Sequence, residues 1–274
     1  MDMRRLAASL DDQYPAGLRA EFDSDRVLGH RQLIMAMDQG SVNVPPDGGA
    51  SHRARAELLA RYLQFDSRGA TNVWEEAGYE PLYPIETAIL ALCYADEGDA
   101  RAEPFIARLE AERAGEAAAL RVRLYWRQGR IEEAAMAVTV AFARLRESPW
   151  VHGHFGEALF ITTMEMAALD TAVAKHCYAA LSEPLAVFAW ESLRRRALCG
   201  VAEVLGPEVL TAALAALEPY PIWEQPMLRV RQRAYTATGH PLAGRAASDL
   251  AAYRAAASGS RFTSAGRTRS GSSH

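Results

Sequence analysis

The stretch Arg123–Ala135, "RLYWRQGRIEEAA", reads as the end of one helix, a tight turn and the start of another. Gly129 stands where the first helix must stop, because glycine reaches the positive φ that closes many helices without a steric penalty. Glu132 and Glu133 open the second helix, where negative charge complements the dipole of the first turn. Ala134 and Ala141, small residues further along, let a neighbouring helix approach closely. The stretch therefore predicts a helix–turn–helix unit, and the next question is whether the unit recurs.

It does recur by spacing. Turns carrying Gly or Ala fall between amphipathic helical patterns at Gly98, Gly129, Ala167, Gly206 and Gly239, at intervals of 31, 38, 39 and 33 residues. A period near 34 built from a helix, a turn and a second helix is the spacing of tetratricopeptide repeats. "LYWRQGRIEEAAMAVTVAFA" resembles such a repeat, matching the family at Tyr125, Gly129, Ala134 and Ala141. Four weaker matches follow the spacing: Tyr94 with Gly98; Ala167 with Ala172, Ala179 and Pro184; Gly206 with Ala212; and Tyr235 with Gly239 and Ala251. The resemblance covers residues 84–257. It implies an all-α fold, a right-handed α-solenoid of about five stacked helix–turn–helix repeats; a helical bundle with fortuitous periodicity is the alternative.

Outside that region the pattern is less regular. Residues 1–80 read as an irregular helical segment, with one helix expected from Ser24 to Gly40 carrying Val27, Leu28, Ile34 and Met35 on a stripe. The Pro/Gly-rich stretch at 40–51, "GSVNVPPDGGAS", reads as a long loop or linker. A helix capped by Ser51 is expected next, with Ala54, Leu58, Tyr62 and Phe65 on one side, and another should begin near Pro84. Residues 81–257 form the repeat domain, and 258–274, rich in Ser and Gly, read as a disordered tail.

Composition narrows the function. Of 274 residues half are hydrophobic and 23% charged, and Ala is abundant while β-branched residues are sparse, which favours helix. A net charge of -4 makes nucleic acid an unlikely partner, since phosphate-binding domains are usually strongly basic. Cys93, Cys177 and Cys199 lie far apart in apolar helical sequence, which suits buried reduced thiols and a cytoplasmic location. No run of 18 apolar residues and no signal-peptide pattern appears, so no membrane association is expected. The single lysine, Lys175, follows an alanine inside a helix, so a phosphate-binding Walker loop is not expected. Neither G-x-S-x-G nor G-x-G-x-x-G is present.

Two groups could carry chemistry. His152, His154 and Glu157 in "WVHGHFGE", with His176 and Cys177, contain zinc-ligand types, but residues two apart on a helix diverge and no H-x-x-x-H or C-x-x-C exists. The stretch Pro149–Gly156 reads instead as a turn between repeats, with Trp150 and Phe155 packed inward and the histidines wet. Adjacent carboxylates, Glu75/Glu76 and Glu132/Glu133, do not converge on one substrate atom. Trp74, Tyr79 and Tyr83 read as a hydrophobic cap. No metal or cofactor is expected, and no enzymatic activity.

What the resemblance implies about function is a non-catalytic scaffold or adaptor whose concave groove, lined by first helices, holds a peptide or helix of another protein. The family's groove positions fall on Arg123, Trp126 and Arg127, on His154 and Glu157, on Arg196, and on Arg229 and Arg233. The family's chaperone-tail-binding members use a clamp of lysines and asparagines, whereas this sequence has the single lysine Lys175, and its asparagines, Asn43 and Asn72, lie before the repeats. Five arginines on one expected face would suit an acidic peptide, because guanidinium forks match carboxylates. The competing reading of those arginines is stems packed along helix surfaces with heads in water. The competing class is a helical accessory or regulatory domain of a separate catalytic or transcriptional partner.

Overall fold

The structure, a computed structural model, describes residues 50–265, with the side chains of 52 and 258–265 left aside. The helix expected at 24–40 and residues 266–274 of the expected tail lie outside the described residues. Twelve helices occur among the described residues, and no strand. They divide after Gln128 into two compact units.

The first unit holds α1 (Ala50–Leu63), α2 (Ser67–Ala77), α3 (Pro84–Asp96), α4 (Ala102–Glu110) and α5 (Ala114–Arg127). The second holds α6 (Ile131–Glu147), α7 (Gly153–Ala167), α8 (Thr171–Ser182), α9 (Phe188–Leu205), α10 (Pro207–Ala215), α11 (Gln225–Ala237) and α12 (Ala243–Ala265). Within each unit every helix packs against its successor, and α1 with α3, α3 with α5, α6 with α8, and α7 with α9 also touch. The division falls in the turn of the stretch that opened the sequence reading.

Each expected turn separates two consecutive helices. Gly98, Gly129, Gly206 and Gly239 all have positive φ, at 69°, 72°, 117° and 64°. The turn after Ala167 manages without glycine: α7 ends there, and Asp170 caps α8 by accepting from the Ala172 and Val173 amides. Gly98 is required twice over, since a Cβ there would also lie 3.0 Å from the Arg127 carbonyl oxygen.

The described part of the segment expected to be irregular is a regular helix pair, α1 and α2, packed on each other and on α3. Ser51 is the second residue of α1 rather than its cap, and its hydroxyl accepts from Arg55 Nε at 3.2 Å. Phe65 lies past the end of α1 with φ of 59° and is exposed. At the other end α12 continues to Ala265, eight residues into the expected tail.

Small residues fill much of the core. Ala88, Ala91 and Ala95 on α3, Ala134 and Ala141 on α6, and Ala174 on α8 are fully buried beside Leu58, Leu90, Phe142 and Phe155. Alanine adds little bulk between helices and lets their axes approach, so such an interior suits helix-on-helix packing. Cys93, Cys177 and Cys199 are free and buried. Burial pushes their thiols up, to about 12, 11 and 11. Among the described residues no helix is long and apolar enough to cross a membrane.

Candidate functional site

The residues assigned to one groove fall in both units, so each group is described within its own unit. In the first, Arg123 on α5 turns inward: its Nε donates to Asp96 Oδ1 at the end of α3, 2.7 Å away, with the guanidinium side chain only 14% exposed. Ser67 Oγ, in the first turn of α2, donates to the other oxygen of that carboxylate at 3.2 Å. Arg123 therefore helps fasten α5 to α3. Trp126 is half-buried and Arg127, the last residue of α5, is exposed.

In the second unit the exposed residues of α7 include His154, Glu157, Ile161 and Met164, spaced by three, four and three along one helix face. Ile161 and Met164 are large apolar side chains left 48% and 36% accessible. Met164 sits against α9: a Cβ added to exposed Gly200 would lie 3.4 Å from its Sδ. Two ion pairs then join α9 to α11 and to the residue before it. Arg196 on α9 binds Glu224, which precedes α11, and Arg233 on α11 binds Glu203 on α9. Arg229 on α11 is exposed, with no ion pair among the described residues.

The repeated "LRVR" that ends at Arg123 and Arg231 marks an inward contact in both places. Arg231 is 1% exposed, with Nε 2.7 Å from Glu218 Oε1 and Nη1 2.7 Å from Asp249 Oδ2. Tyr235 OH donates to the same Glu218 oxygen at 3.1 Å. This cluster ties the connection before α11 to α11 and α12.

Several side chains sit where the sequence reading did not put them. Trp150, expected to pack inward, is 81% exposed, because α7 begins only at Gly153 and leaves Trp150 in the connection before it. The indole that fills the space is Trp190 of α9, whose Nε1 donates to the Pro149 carbonyl at 2.8 Å. Phe155 is buried and His152 and His154 are exposed, their rings edge-to-face at 5.7 Å. Among the described residues no group of three or more His, Cys, Asp or Glu side chains could hold a metal ion. The acids that bind Arg196 and Arg233 were not found by sequence reasoning, since both partners lie about 30 residues away and no local spacing links them. Ile161 and Met164 had a usable signal: their step of three from one another continues that of His154 and Glu157.

The chain matches no known protein-family model, and comparison with curated proteins and with solved structures finds no similar one.

Proposed function

We propose that this protein is a non-catalytic scaffold of tetratricopeptide-like helix pairs that holds a segment of another protein against the exposed side of its first helices. The reading is supported by the consecutive helix contacts within each unit, by the next-but-one contacts α1·α3, α3·α5, α6·α8 and α7·α9, and by the turns at Gly98, Gly206 and Gly239, each between two helices that pack on one another. The observation that carries it is the α7–α9–α11 face, where Ile161 is exposed and Met164, lying against Gly200 of α9, stays partly accessible. Exposed apolar side chains grouped with polar neighbours mark docking surfaces.

The partner chemistry follows from that face. Arg196 and Arg233 already have carboxylate partners, so an acidic segment must displace Glu224 or Glu203 to reach them, whereas Arg229 is open. The segment that fits best places an apolar residue on Ile161 and Met164 and a carboxylate on Arg229. Cross-linked affinity purification from the host, followed by calorimetry on the recovered segment, tests this. Ile161→Asp with Arg229→Glu should weaken binding at least tenfold, while Ala143→Asp, exposed on α6, should leave it unchanged. Equal affinity for the double variant and wild type overturns the reading.

A further inference from the structure

Three connections of the second unit emerge at one end of its helices. Arg146, near the end of α6, donates to the carbonyls of Ala180 and Glu183 at the end of α8, at 2.7 and 3.0 Å, so the connections that follow these two helices start side by side. The bond from Trp190 Nε1 to the Pro149 carbonyl ties the first turn of α9 to the α6–α7 connection. Arg196 on α9 meets Glu224 before α11, and Glu203, further along α9, meets Arg233, further along α11. The two helices therefore run parallel, and the connection into α11 lies at the same end as the connection into α9.

Among the described residues of the unit, every exposed Phe, Tyr or Trp side chain sits at this end. Trp150 is 81% exposed, Phe188 87%, Tyr220 84% and Trp223 52%, the last edge-to-face with Tyr253 of α12. The turns at the opposite end, at Leu169, Gly206 and Gly239, expose none. A large aromatic side chain presents roughly 150–250 Å² when fully accessible, so the four together offer on the order of 600 Å². Two such surfaces face to face bury about 1,200 Å², which reaches the range of stable specific interfaces, whose centres are rich in Trp, Tyr and Phe. Arg146, Arg195 and Arg196 beside these connections are already paired with Glu183, Glu191 and Glu224, so they neither repel another copy nor call for an acidic ligand.

We propose that this aromatic end is a self-association surface on which a second copy of the chain packs about a two-fold axis, with Trp150 and Phe188 at the centre of the contact. A two-fold contact uses the same patch on both copies and so closes at a dimer. It stands whether or not the α7–α9–α11 face binds a partner.

Sedimentation of the full chain over a range of concentrations tests it. Wild type should pass from 30.0 kDa to twice that mass, with a dissociation constant on the order of micromolar for a contact of this size. Trp150→Asp/Phe188→Asp should raise that constant by roughly a hundredfold or more, as the loss of two central aromatic anchors does. Ile161→Asp, on the side of α7, should leave it unchanged. A wild-type monomer throughout overturns the proposal, as does a dimer that the aromatic variant keeps or that Ile161→Asp also loses. Monomeric protein that co-sediments with phosphatidylcholine vesicles would assign the end to a lipid surface and likewise overturns it. Hydroxyl-radical footprinting of wild type supplies a second reading that needs no variant. Labelling of Trp150 and Phe188 should fall severalfold between dilute and concentrated protein while that of exposed Met136 on α6 stays constant. Equal labelling of the two aromatics at both concentrations overturns the proposal.

Discussion

Two arginines separated by one residue show how differently the same side chain is used. Arg231 is buried and bonded to two carboxylates, whereas Arg229 stands in solvent. Removing one member of a buried ionic group leaves its partners uncompensated, typically at about 3–5 kcal/mol, while an exposed charge usually changes stability by no more than about 0.5 kcal/mol. Arg231→Ala should therefore cost several kcal/mol in urea unfolding and Arg229→Ala should be nearly silent; similar midpoints for the two would contradict the burial of Arg231. Arg123, bonded to Asp96, belongs with Arg231 in kind, so any test of binding that replaces it also disturbs the fold. Glycine shows the same dependence on surroundings. A Cβ on Gly156 would lie 2.4 Å from the Trp190 ring, and that ring is locked by its bond to the Pro149 carbonyl and stacks on Phe160. Gly156→Ala should lower stability by about 1–3 kcal/mol through overpacking, read as a lower denaturation midpoint with unchanged helical signal.

Between helices, the connection from α8 to α9 is the best-defined polar joint. Arg194, 7% exposed, grips Glu191 with two nitrogens at 2.6 and 2.7 Å and reaches back to the Leu181 carbonyl at 2.5 Å. The Leu185 amide and Arg195 Nε also donate to Glu191, at 2.9 and 2.7 Å. Burial alone would raise the Glu191 carboxyl, but these hydrogen bonds outweigh it and hold the group down at about 2. A carboxylate whose folded pKa is depressed adds stability above its unfolded pKa and loses it as pH falls through the folded one. Wild type should accordingly lose roughly 2–4 kcal/mol from this group between about pH 4.5 and 2. The difference in unfolding free energy between wild type and Glu191→Gln, followed across that range, should shrink as pH falls; a constant difference would show that Glu191 is not the titrating group. A second element-scale test concerns α6, whose Ala134 has no exposed surface. Ala134→Trp should destabilise by about 1–3 kcal/mol or more, and an unaltered midpoint would mean the site has room that its burial denies.

For the whole molecule, twelve helices and no strand among the described residues predict a far-ultraviolet spectrum dominated by helix. A fitted strand content above about 15% would contradict the architecture, given that ordinary globular proteins carry 20–25%. The division after Gln128 runs through the turn of the stretch most recognisable in sequence, so the two halves of that motif contribute to different compact units. Sequence similarity of a helix–turn–helix unit reports a local conformation, while compactness reports which helices share a core, and the two need not coincide.

What the sequence determined by itself is local. Gly98, Gly129, Gly206 and Gly239 mark turns because positive φ is a property of the residue and its immediate neighbours, and Pro84 opens a helix because its fixed φ suits a first turn. Abundant alanine and few β-branched residues fixed the all-helical class for the same reason. What only the tertiary structure decided is the direction and partner of each side chain at long range. Arg123 reads as a groove residue until Asp96 is brought to it, and nothing local marks Arg231 for burial until Glu218 and Asp249 meet it. Trp150 is exposed because α7 starts only at Gly153, and Trp190, for which no local pattern gave a role, is the buried indole. Ion pairs between residues about 30 apart depend on how whole helices pack, and no periodicity within one helix encodes which acid of another will face it.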